Sequence, residues 1–129
     1  MSSKIGVGAV VETAAIANGI ILIKGTAENQ VKISGANGAA VGIASVSQPS
    51  TATPVGEEIS QIFGGVTHVL LAATLTRGDF FESDAAGKAV AVGAVADSQR
   101  NVVGQLIESG VSGELIECHV NIGFKKIAV

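Results

Sequence analysis

Cys118, His119 and His68 are the residues whose types could hold a metal or run nucleophilic chemistry. A thiolate beside an imidazole can bind zinc or attack a carbonyl carbon. Neighbours on an extended chain point to opposite faces, so Cys118 and His119 do not converge on one ion. No Cys-x-x-Cys and no His-x-x-x-His spacing occurs. Cys118 therefore reads as a small buried hydrophobe. The carboxylates give no better pair. Glu57 and Glu58 face opposite ways on a strand and cannot flank one bond, and Glu114 with Glu117 reads as surface charge. Residues 83–88 end in Gly87-Lys88, but Glu82 stands where a phosphate loop needs glycine and Ala89 where it needs a hydroxyl. Gly6 and Gly8 lack the third glycine of a dinucleotide fingerprint, and no Gly-x-Ser-x-Gly elbow is present. The expectation is a protein with no catalytic residues, no cofactor and no metal.

Composition narrows the classes further. The 129 residues are 47% hydrophobic but only 3% aromatic, with four Phe and neither Trp nor Tyr. The apolar mass is Ala, Val and Ile, and a single domain of this length can bury a core. The charged fraction of 15% is low against roughly 25% in an average soluble domain, and the mean hydropathy is +0.52. Gly and Thr interrupt every apolar run before the ~18 residues a membrane helix needs. The surplus apolar surface is expected to be buried between subunits or against a partner. Net charge is −3, and the eight basic residues are scattered except for Lys125-Lys126. Neither nucleic acid nor a membrane is an expected partner. One cysteine excludes an intramolecular disulfide, and residues 1–8 lack the apolar centre of a signal peptide. These features suit synthesis in a reducing cytoplasm.

The elements that must position these residues are short strands, and they come twice. Gly19 matches Gly78 at an offset of 59, Gly42 matches Gly104 at 62, and Gly56 matches Gly113 at 57. Regularly spaced strands with glycine turns predict an all-β fold. We expect a compact β-barrel or sandwich with an internal duplication and at most one short helix. The predicted organisation is an N-terminal arm (residues 1–11) and a single β domain (12–129), with pseudo-repeats at about 16–62 and 75–120. Gly19, Gly42, Gly56, Gly78, Asp79, Gly87, Gly104 and Gly113 are the expected structural turn residues. Asn37-Gly38 predicts a hairpin-type turn, Gly64-Gly65 a reversal of the chain, and residues 94–101 a polar loop or short helix.

The second copy carries a resemblance. Leu75-Thr76-Arg77-Gly78-Asp79-Phe80-Phe81-Glu82-Ser83-Asp84-Ala85-Ala86-Gly87-Lys88-Ala89-Val90 resembles the Gly-Asp, strand, Asp-x-x-Gly-Lys pattern of bacteriophage head decoration proteins. Val103-Gly104-Gln105-Leu106 and Gly113-Glu114-Leu115-Ile116 extend it. Ala17-Asn18-Gly19 and Val41-Gly42-Ile43-Ala44 match more loosely in the first copy. The resemblance spans roughly residues 10–123. It implies a capsid cement protein on the virion exterior, bound to the major capsid protein lattice, often as a trimer, and without catalysis. Another self-assembling phage or shell subunit is the alternative. A lipoyl- or biotinyl-like carrier hairpin is similar over a shorter stretch, but Ala85 follows Asp84 where the modified lysine would stand.

Lys4, Ile5, Val7, Val10 and Val11 of the arm are the candidate capsid contacts, and the Pro- and Ser-rich loop 47–54 is a second candidate. Deleting residues 1–8 is expected on this reading to spare the fold and to weaken capsid binding.

Overall fold

The computed structural model describes residues 4–46, 52–92 and 99–126. The described residues form nine strands and no helix: β1 Lys4–Val11, β2 Ile21–Lys24, β3 Gln30–Ile33, β4 Ala40–Ser45, β5 Glu58–Leu70, β6 Phe80–Ser83, β7 Ala89–Ala91, β8 Gln99–Leu106 and β9 Leu115–Lys126. Residues 1–3 of the expected arm, 47–51 of the expected loop and 94–98 lie outside the described residues.

The strands close into a ring. β1 runs antiparallel to β5, β5 to β4, β4 to β2 and β2 to β3, and β3 returns parallel to β1. This is a five-stranded barrel, which removes the exposed sheet edges that short Ala- and Val-rich strands would otherwise present. The same circuit is then drawn again. β5 runs antiparallel to β9, β9 to β8, β8 to β6 and β6 to β7. A single parallel bridge between Leu71 and Ala89 brings β7 back to the end of β5. β5 is thus the last strand of the first unit and the first strand of the second.

The hydrogen bonds repeat with the strands. Gly56 N–H donates to Val11 O at 2.8 Å, and Gly113 N–H donates to Leu71 O at 2.8 Å. Gly19 N–H donates to Ala44 O at 2.9 Å, and Gly78 N–H donates to Leu106 O at 2.9 Å. The side chains follow. The first barrel is filled by Ala9, Val11, Ile16, Ile20, Leu22, Val31, Ala44 and Ile59. Seven of these eight have buried counterparts in the second unit, in order Val69, Leu71, Leu75, Phe81, Ala89, Leu106 and Ile116. The exception is Ile20, whose place is taken by Asp79. That carboxylate accepts the Thr76 N–H at 2.8 Å and so belongs to a turn.

Two features differ from the sequence-based expectation. Gly64-Gly65 does not reverse the chain; β5 continues through it for 13 residues. Both glycines are paired to β1, through Ile5 and Lys4, and Gly65 also begins the ladder with β9. With ladder bonds on both edges, a glycine pair bends a strand and changes its partner, which is the effect of an in-strand bulge. Second, the turn at Asn37-Gly38 exists, with Asn37 at φ +48°, but it does not close a hairpin. It joins β3 to β4, and β2 lies between them.

Residues 4–11 are also no separate arm. Seven of them pair with β5, and the last two pair with β3. Beyond the strand's end, Glu12 Oε1 accepts the Thr26 N–H at 2.7 Å, and the hydrogen bonds from Thr26 hold the Glu12 carboxyl below its ordinary range. Deleting residues 1–8 would remove five of the seven β5 partners. We expect that truncation to lose cooperative thermal unfolding by circular dichroism; a melting curve like that of the full chain would show that β1 is dispensable.

Candidate interaction surfaces

The residues with chemical potential are held apart by the sheet. Cys118 and Thr67 face each other across the β5–β9 ladder on its inner side. His68 and His119 lie on the other side, exposed, with His68 opposite Glu117 and His119 opposite Val66. Among the described residues no group of three or more His, Cys, Asp or Glu could hold a metal ion. Glu57 and Glu58 are both exposed.

Burial pushes the Cys118 thiol up to about 12, the Glu117 charge adds to this, and a hydrogen bond with the Thr67 backbone opposes it. A thiol in that state is a poor nucleophile at neutral pH. We expect Cys118 to ignore a thiol reagent in the native protein and to react promptly once denaturant is added. The sign of the pH effect follows from linkage. The unfolded thiol ionises first, so this contribution is intact below its ordinary value of 9.0 and is lost as pH rises towards about 12. Stability measured across that window should fall less steeply in Cys118→Ala than in the parent.

The expected contact residues separate by position. Val11 is 1% exposed and belongs to the first core, so it is withdrawn from any surface contact. Val10 is half-buried, whereas Val7 is 53% exposed. Lys4 and Ile5 pair by their backbones with Gly65 and Gly64.

The turn residues divide as well. Gly19, Gly56, Gly78, Gly87 and Gly113 have positive φ, between 78° and 92°. Gly42 and Gly104 are not turn residues; they lie inside β4 and β8. A Cβ on Gly42 would stand 2.9 Å from Ile62 O, and one on Gly104 would press on His119 O. These two glycines matter because a neighbouring backbone passes too close for any side chain.

A polar cluster at the junction of the units escaped sequence reasoning. Glu82 on β6 pairs with Arg100 on β8, and their side chains are 4% and 25% exposed. Asn37 Nδ2 donates to Glu82 Oε2 at 2.8 Å and to Asn101 O at 3.1 Å. Asn101 Nδ2 returns a bond to Asn37 O at 2.9 Å, and Asn37 N–H donates to Ser83 O at 2.8 Å. The strained turn at Asn37 thus clips the first unit to the second. The available signal was Asn37-Gly38 itself, but its partners lie 45 and 64 residues away.

Beside this clip, the outward side chains Ile21, Ile43 and Ile62 of the first unit share one buried cluster with Val103, Cys118 and Val120 of the second. The large apolar side chains left exposed include Val7, Phe63, Phe80, Leu115 and Ile122. These five lie on strands, while Val55 and Val111, each 51% exposed, lie in the turns before β5 and β9.

No family model matches the chain, and no curated protein matches its sequence. The fold has a counterpart among solved structures. It is similar to the head fiber gp8.5 N base of bacteriophage phi29, with a TM-score of 0.65 and 14% sequence identity. The match covers 92% of this chain and 95% of that one. The all-β architecture is thus shared over nearly the whole length with a phage head protein.

Proposed function

We propose that this chain is a structural protein of a bacteriophage virion that seats on the outside of the assembled capsid and stabilises its lattice. The observation that carries the reading is the shared fold with the base of a phage head fiber across 92% of the chain. The resemblance of residues 75–90 to head decoration proteins points the same way from the sequence side. The partner is the major capsid protein, and a homotrimer is the favoured assembly. The mechanism is burial of Ala, Val and Ile surface at junctions between capsid subunits. Burial yields about 25 cal/mol per Å² and association costs offset much of it, so many repeated weak contacts do the stabilising. The protein on this reading is non-catalytic and needs no cofactor.

A second reading is favoured by the same neighbour: the domain anchors an appendage to the head rather than cementing the shell. One experiment separates them. Purified protein is added to mature capsids lacking it, and binding is read by co-sedimentation and shell stability by the capsid melting temperature. Binding with a raised melting temperature supports the cement role. Binding with an unchanged melting temperature supports an anchor, and absence from the capsid pellet rejects both.

A further inference from the structure

The contact between the two units has two sides, and each side has an exposed counterpart elsewhere on the molecule. The first unit contributes Ile21, Ile43 and Ile62, all buried. Strand pairing puts Phe80, Gln105 and His119 at the equivalent places of the second unit. All three are exposed, Phe80 at 42%, next to a shallow depression lined by Gly78, Asp79, Ala91 and Val92. The second unit contributes the other side of the contact through buried Val103, Cys118 and Val120, with Thr67 opposite Cys118 on the ladder. Their equivalents in the first unit are Val41 and Gln61, which are half-buried, and Phe63 and Val7, exposed at 42% and 53%. Phe63 is left unpaired by the bulge where the β1–β5 register shifts between Ile5 and Gly6.

We propose that a second copy of this chain joins these surfaces: the Phe80, Gln105 and His119 face of one copy docks on the Val7 and Phe63 end of the next. The intramolecular contact supplies the template, since the same strands already pack in this way once within the chain. Two of the four phenylalanines occupy the two sides, and aromatic side chains gain most when both partners are apolar. Gln105 and His119 replace isoleucines, which makes this version more polar than the internal one, as suits chains that are first soluble apart. The contact is head-to-tail. It closes into a ring if the rotation per step divides a full turn and continues as a filament if it does not. The inference does not rest on capsid binding and is tested without capsids.

The experiment uses Phe63→Asp and Phe80→Asp, with Val55→Asp as an exposed control, followed by sedimentation velocity and light scattering. The parent should assemble to a multiple of 12.8 kDa. Each phenylalanine variant should be a monomer with a parental melting curve, and the control should assemble normally. Mixing the two variants should restore a heterodimer and nothing larger, because one intact face and one intact end remain between them. A monomeric parent, or an assembled Phe63→Asp or Phe80→Asp, overturns the proposal. Monomeric variants that do not complement indicate a symmetric contact and also overturn it. Should either aspartate variant fail to fold, Phe63→Ser and Phe80→Ser enter the same assay.

Discussion

Phe81→Ala is expected to destabilise the protein by about 3–5 kcal/mol, a large part of the ~5–15 kcal/mol that holds a domain folded. Phe81 is fully buried and is the largest fully buried side chain among the described residues. It stands where Leu22 stands in the first unit, so Leu22→Ala should cost a comparable ~2–5 kcal/mol. Because β5 belongs to both units, neither can lose its core without disturbing a strand the other needs. Urea unfolding should therefore show one transition whose midpoint falls in both variants with little change in slope. Two transitions, with only one displaced by each substitution, would mean that the units fold independently despite the shared strand.

Arg100→Ala should be the more damaging half of the polar clip. It removes the guanidinium from beside the Glu82 carboxylate, which is 4% exposed. Removing one partner of a buried pair costs up to about 3–5 kcal/mol. Glu82→Gln leaves an Arg100 side chain that is 25% exposed against 4% for Glu82, so its effect should be smaller. Replacing both by apolar residues of similar size should recover much of the loss, as buried pairs often allow. Denaturation of the two single variants and the double variant gives the coupling. Equal, sub-kilocalorie losses in both single variants would show that the clip is solvated and contributes little.

Much of the architecture is legible in the residues. Gly19 and Gly78, or Gly56 and Gly113, announce the repeat because each pair must adopt the same positive φ. The β-branched runs at Ile21–Lys24 and Gln30–Ile33 announce strands because they fit a pleated, half-buried surface. Gly64-Gly65 misled because a glycine pair permits either a reversal or a bend. Only the presence of β1 and β9 on its two edges decides between them. Residues 4–11 misled for a similar reason: a small-residue segment becomes a barrel strand only when partners distant in sequence pair with it. Arg100 and Glu82 were invisible as a pair because nothing local joins a residue of β8 to one of β6.

Local chemistry thus determined that this is an all-β chain of two related units, and it marked five of the glycines that turn it, Gly19, Gly56, Gly78, Gly87 and Gly113. It also kept Cys118 and His119 on opposite faces, because alternation along a strand is a property of the backbone itself. The tertiary structure decided which face of each strand is covered. Ile21 and Phe80 occupy the same place in the repeat, yet Ile21 is buried and Phe80 is exposed. The difference lies in what stands outside the strand, and that depends on how the two units pack, which no local pattern encodes.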